Sequence, residues 1–266
     1  ISHRGFDRSR RRVKHLRASS MSEVTNIELV DRYVGMPDTM QGGYVAGLAA
    51  GDVDGPIRVR IRRPMHPGEF LVRTAGQDDN LVHRNDELVM VATPGPLHVQ
   101  ARSPISRQAV DVAMRAPLPF DPPYPDCIGC GHGPEGMGIQ IRPLGDGQHA
   151  VAVWSPTAEW GDQNGVIPRN LVWAAFDCIT SWAIFIDPPS SSGGGAVTGN
   201  IAAEFRGDVL VGETYVFQSW RERDDDRSII CGGALYGPNG LVAVADQELV
   251  RTKGWGMEIP TAPLAR

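Results

Sequence analysis

The sequence predicts an α+β protein made of two similar units in tandem, each an antiparallel sheet wrapped around one central helix. Three observations carry this expectation. Apolar residues alternate in strand fashion through much of the chain, only one stretch in each half reads as a helix, and the same order of helix, strands and turns occurs twice.

At 266 residues, with 41% hydrophobic and 21% charged residues, the chain is long enough to bury a large core. No apolar run approaches the ~18 residues of a membrane span. A net charge of -5 gives no general reason to bind nucleic acid. Residues 1–20 differ: Arg8-Ser9-Arg10-Arg11-Arg12-Val13-Lys14-His15-Leu16-Arg17 is basic and poor in apolar residues, and composition changes at Met21. This segment reads either as an unpacked extension ahead of a natural start at Met21 or as a nucleic-acid or targeting arm; it lacks the apolar core of a secretory signal. Four cysteines do not make a disulfide framework, and Cys178 and Cys231 sit among apolar residues, as buried reduced thiols do, so a cytoplasmic location is expected.

The first unit, 21–115, holds a short helical run at Gln41-Gly42-Gly43-Tyr44-Val45-Ala46-Gly47-Leu48-Ala49-Ala50. It continues through Arg60-Ile61-Arg62-Arg63-Pro64, a Gly68-Glu69 pair, a turn at Asn85-Asp86 and the strand Leu88–Ala92. Residues 116–134 carry too many prolines and glycines for helix or central strand, and read as a linker laid over the surface. In the second unit, 135–266, alternation marks strands at Gly138–Leu144, Ala150–Trp154 and Tyr215–Trp220. Leu171–Ile186 is apolar around nearly its whole circumference and predicts a buried helix. Ala203-Glu204-Phe205-Arg206, Gly212-Glu213 and Pro238-Asn239-Gly240 then repeat the features of the first unit. The loop Asp187–Gly195 makes the second unit longer, as a mobile lid or as passive surface. Superposing the repeats sets Ala50 of the first helix opposite Asp177 of the second: one unit reads as scaffold, the other as site.

This layout resembles the hotdog fold, and two copies resemble the double-hotdog arrangement of acyl-CoA thioesterases. In the phenylacetyl-CoA thioesterase branch a His-Gly-Gly opens the central helix and a catalytic Asp follows nine residues after the His. The matching positions are Pro168-Arg169-Asn170 and Asp177 in the second unit, and Gln41-Gly42-Gly43 and Ala50 in the first. The Cys127-Ile128-Gly129-Cys130-Gly131 element resembles a Cys-x-x-Cys-Gly lead-in of thioesterase-like hotdog proteins of actinobacteria. The resemblance spans most of residues 36–251 and implies an acyl-CoA thioesterase of lipid metabolism, acting without cofactor, with a homodimer of double hotdogs as an assembly. It departs from the family at the missing His.

Asp177, among Trp173, Phe176, Cys178 and Trp182, is costly to bury charged, and reads either as base or nucleophile for thioester hydrolysis or as a satisfied structural carboxylate. A helix start supplies unpaired N–H groups for a developing oxyanion, which points to Asn170 and Leu171. Upstream, Asp162 and Asn164 could position water or the carbonyl, unless they form an ordinary turn. Trp160, Trp173 and Trp182 could line an acyl pocket or pack as plain core, and Arg169 and Arg206 are the expected cations for a coenzyme A phosphate. Cys127-x-x-Cys130 with His132 falls short of the four ligands of a closed zinc site, so the expectation is a tight glycine turn with no metal. No G-x-S-x-G element is present, which disfavours a serine hydrolase of the α/β type. A non-catalytic acyl-CoA or lipid binder is the alternative reading. A hotdog dehydratase or hydratase is another, although no His lies beside either central helix in the sequence.

Overall fold

The computed structural model describes residues 23–118, 123–132, 136–189 and 193–262. The basic segment 1–20, parts of the 116–134 linker and Ser190–Ser192 of the lid loop lie outside the described residues. Twelve strands join in one antiparallel sheet: β1 (Glu23–Glu28), β2 (Ile57–Ile61), β3 (Phe70–Ala75), β4 (Asn80–Arg84), β5 (Glu87–Pro94), β6 (Arg142–Pro143), β7 (His149–Trp154), β8 (Gly195–Phe205), β9 (Tyr215–Asp224), β10 (Ser228–Gly237), β11 (Gly240–Thr252) and β12 (Met257–Glu258). Their order is β1-β3-β4-β5-β2-β8-β11-β10-β9-β7-β6, with β12 beside β8. From either side toward the middle, β1-β3-β4-β5-β2 and β7-β9-β10-β11-β8 follow one pattern. They meet where β2 pairs with β8, Ile57 opposite Ala203. Arg58 reaches from β2 across β8 to β11, its fork closing on the fully buried Asp246 at 2.8 and 3.0 Å.

The hairpin turns fall where the repeat predicts them. Asn85 takes φ 52° between β4 and β5, a conformation that Asn tolerates, and Gly240 takes φ 111° between β10 and β11.

Two helices, α1 (Gly42–Ala50) and α3 (Arg169–Ile186), pack on each other and on the sheet. α3 buries Trp173, Phe176, Ile179 and Trp182, each worth about 1.5–3 kcal/mol once removed from water. Its near absence of a polar face is thus explained by contact on most sides. A third helix, α2 (Arg107–Arg115), was not expected. Ser106 caps it through Ala109 N–H at 3.3 Å, and Val110 and Ala113 pack with Val151 of β7, an amphipathic pattern too short to stand out by periodicity. The expected strand Gly138–Leu144 shrinks to Arg142–Pro143, because Met137 and Ile139 turn their N–H groups to the carbonyls of Ile128 and Gly129. The linker is also corrected: Cys127–Gly131 is buried rather than laid on the surface. No helix among the described residues is long and apolar enough to cross a membrane.

Candidate active site

The closeness of the two helices comes from glycine. A Cβ at Gly43 would lie 2.2 Å from the Trp173 carbonyl oxygen, and one at Gly47 would lie 2.4 Å from Cα of Asn170. Gly43 and Gly47, one turn apart, therefore form a bare face on which the α3 backbone rests. The contact brings the start of α1 to the middle of α3, where Asp177 lies.

Gln41 caps α1, its Oε1 accepting from Tyr44 N–H at 2.6 Å. Its Nε2 donates to Asp177 Oδ2 at 2.6 Å. The other oxygen, Oδ1, accepts from the Thr198 hydroxyl at 2.7 Å and from Gln247 Nε2. Gly43 lies against the same side chain, where a Cβ would come within 2.6 Å of Asp177 Cβ. Among the described residues no basic side chain pairs with Asp177, in contrast to Asp246, so burial dominates and pushes its carboxyl up to about 6 against the pull of Thr198, Gly43 and Gln247. Thr180 and Ser181, one turn on from Asp177, donate to Gln247 Oε1 at 2.7 and 3.1 Å, which orients its amide toward Asp177.

Asp177 opens onto a cleft of about 310 Å³. Met36, Met40, Val45, Ile61, Leu249 and Trp182 supply much of its apolar lining, while Thr39, Ser181 and Thr198 add hydroxyls. Gly42, the first residue of α1, also lines it, and its N–H is one of the donors that a helix start leaves without an intrahelical partner. Arg62 and Arg63 border the cleft and are exposed.

Cys127, Cys130 and Cys178 also line the cleft, their sulfurs all within 4.8 Å of one another. Hydrogen bonds from the Cys130 and Cys178 thiols pull Cys127 well below the usual thiol range, and the same bonds push Cys130 and Cys178 up.

Of the site residues expected from sequence, Asp177 and Trp182 meet in this cleft. The others do not join them. Asn170 and Leu171 precede Asp177 by seven and six positions on one helix, which is about 10 Å of rise, and Asn170 packs against Gly47. The α1 start, not the α3 start, faces the carboxylate. Asp162 accepts from Asn164 and Val166 N–H at 2.8 and 2.9 Å, so this stretch is an exposed turn. Trp173 is core beside Phe205, and Trp160 is buried beneath the Arg32 guanidinium. Arg169 lies over the Phe205 ring and Arg206 pairs with Glu204 at 3.0 Å; neither lines the cleft. Gln41, Gly42, Thr198, Gln247 and Arg62 were missed. Gln41-Gly42-Gly43 carried a signal, since glycines at a helix start permit close approach of a ligand or a second backbone; Thr198 and Gln247 carried none.

No protein-family model matches the sequence, and no curated protein sequence matches it. Solved structures do. The tesB protein of Mycobacterium avium subsp. paratuberculosis superposes with a TM-score of 0.56 at 12% identity, covering 86% of this chain and 93% of that one. Acyl-CoA thioesterase II TesB2 from Mycobacterium marinum gives 0.53 at 13% identity, covering 83% and 92%. The chain shares the TesB-type thioesterase fold. At this identity the likeness concerns the fold alone.

Proposed function

We propose that the chain is a double-hotdog protein that hydrolyses acyl-CoA thioesters in the cleft at Asp177. The observation that carries the reading is the composite arrangement: a carboxylate without a cationic partner, held by Gln41, Thr198 and Gln247, beside the free end of α1 and open to an apolar cleft. The matching strand order of the two sides supports the tandem reading. The names of the structural neighbours agree with the activity.

In this reading the acyl chain lies along the apolar lining and the thioester carbonyl points at the Gly42 N–H, where the helix dipole favours the developing oxyanion. Asp177 acts as base, taking a proton from the attacking water, or as nucleophile. The carbon–sulfur bond breaks and coenzyme A leaves as the thiol. Arg62 and Arg63, rather than Arg169 and Arg206, meet the phosphates.

Purified protein incubated with short, long and aromatic acyl-CoA substrates should release free thiol. Binding without release over hours would favour the second reading, a non-catalytic acyl-CoA binder. One observation favours that reading: donors from Gln41, Thr198 and Gln247 occupy three of the roughly four acceptor positions of a carboxylate. The dehydratase reading has no comparable support, because no histidine lines the cleft among the described residues.

A further inference from the structure

The Cys127-x-x-Cys130 pair lacked ligands in the sequence, and the fold supplies a third from α3. Cys178 Sγ lies 3.6 Å from Cys127 Sγ, close to the ~3.8 Å edge of a tetrahedron with metal–sulfur bonds of about 2.3 Å. Glycine makes this approach possible. A Cβ at Gly129 would lie 2.4 Å from Cys178 Sγ, and one at Gly131 would lie 2.3 Å from the Pro125 carbonyl oxygen. The loop is pinned in that position by Ile128 N–H on the Val34 carbonyl at 2.9 Å and by Gly131 N–H on the Cys127 carbonyl at 2.9 Å.

The surroundings suit thiolates. Gln41 Nε2 donates to Cys178 Sγ at 3.6 Å, and all three thiols are buried. An N–H donor to a ligand sulfur is the outer support that metal-bound thiolates need. Cys231 is the internal contrast: it is equally buried, in a separate apolar cluster with Ile229 and Leu249.

We propose that Cys127, Cys130 and Cys178 form a three-thiolate site for a single thiophilic divalent cation of the zinc type, with its fourth coordination position open to the cleft. Three S–H bonds break and three metal–sulfur bonds form, the three protons pass to solvent, and the bound cluster carries one net negative charge. The fourth position is completed by water or by a ligand in the cleft. This inference stands whether or not the cleft hydrolyses thioesters.

The test uses the full chain, reduced, stripped with a chelator and titrated with Co(II). One ion per chain should bind, with a sulfur-to-cobalt charge-transfer band and the strong visible absorption of tetrahedral cobalt, and Zn(II) should abolish both. The band should be lost in Cys127→Ser and Cys178→Ser and kept in Cys231→Ser. If the serine variants fail to fold, X-ray absorption of the zinc-loaded wild-type protein decides: a first shell of three sulfurs at about 2.3 Å supports the site. A shell of two sulfurs or fewer, no saturable band in wild-type protein, or a band that survives Cys178→Ser would overturn it.

Discussion

The two helix starts of this molecule occupy matching places in the repeat and have opposite equipment. At the start of α1, Gln41-Gly42-Gly43 presents an amide and bare backbone to a carboxylate, and the space beyond is a cleft. At the start of α3, Pro168-Arg169-Asn170 offers no side-chain cap, Asn170 is packed on Gly47, and Arg169 turns away to Asp54 at 3.9 Å and the Val53 carbonyl. Its would-be partner Ala50 is buried with no ionisable group to offer. Keeping a site thus takes both a small helix start on one unit and an acid on the other. On the proposed reading each side of the sheet supplies one half of the cleft, so neither would be scaffold alone.

The largest effect should follow from removing the acid. Asp177→Asn should lower thiol release at least ~100-fold, the scale of a lost general base. It keeps acceptors for Thr198 and Gln247 but sets an amide against Gln41 Nε2, so stability should fall by about 1 kcal/mol. A variant with wild-type turnover would make Asp177 structural.

Forcing the helices apart comes next. Gly43→Ala places a methyl group on the Trp173 carbonyl and should cost about 3 kcal/mol, read in urea denaturation, together with most of the activity. An unchanged denaturation midpoint would mean that the helices do not touch there.

Ala50→Asp asks whether the silent side can be revived. An acid at that buried position lacks the counterparts of Gln41, Thr198 and Gln247, and should cost on the order of 3 kcal/mol without adding activity. A gain in turnover would show that the acid alone was missing.

The smallest effect concerns the handle. Arg62→Ala should raise KM for acyl-CoA several-fold with kcat nearly constant, because a phosphate contact far from the carbonyl serves ground and transition states alike. Arg169→Ala should leave KM unchanged, and the reverse pattern would move the handle to the α3 side.

Much of the architecture was legible because it rests on local rules. The apolar girth of α3, the Asn85 and Gly240 turns and the alternation of β7 and β9 are set by a few neighbouring residues. The matching strand order on the two sides of the sheet is what the repeated order of turns and strands in the sequence points to. What faces Asp177 was not legible, since it depends on how the helices cross, and assigning the acid to the start of its own helix placed the oxyanion donors about 10 Å away. The thiol of Cys178 shows the same limit. Its nearest partner in space, Cys127, is 51 positions distant in sequence, and only the Gly129 turn against α3 brings them together.

One cleft, built from the α1 start and Asp177, is expected to take the thioester, and a crystal structure with a 2-oxoalkyl thioether of coenzyme A, which keeps a carbonyl but has no thioester bond, tests this. The carbonyl oxygen should lie about 3 Å from the Gly42 N–H, the carbonyl carbon beside Asp177 and the phosphates toward Arg62 and Arg63. An analogue seated at Asn170 and Leu171, with the Asp177 cleft empty, would contradict it.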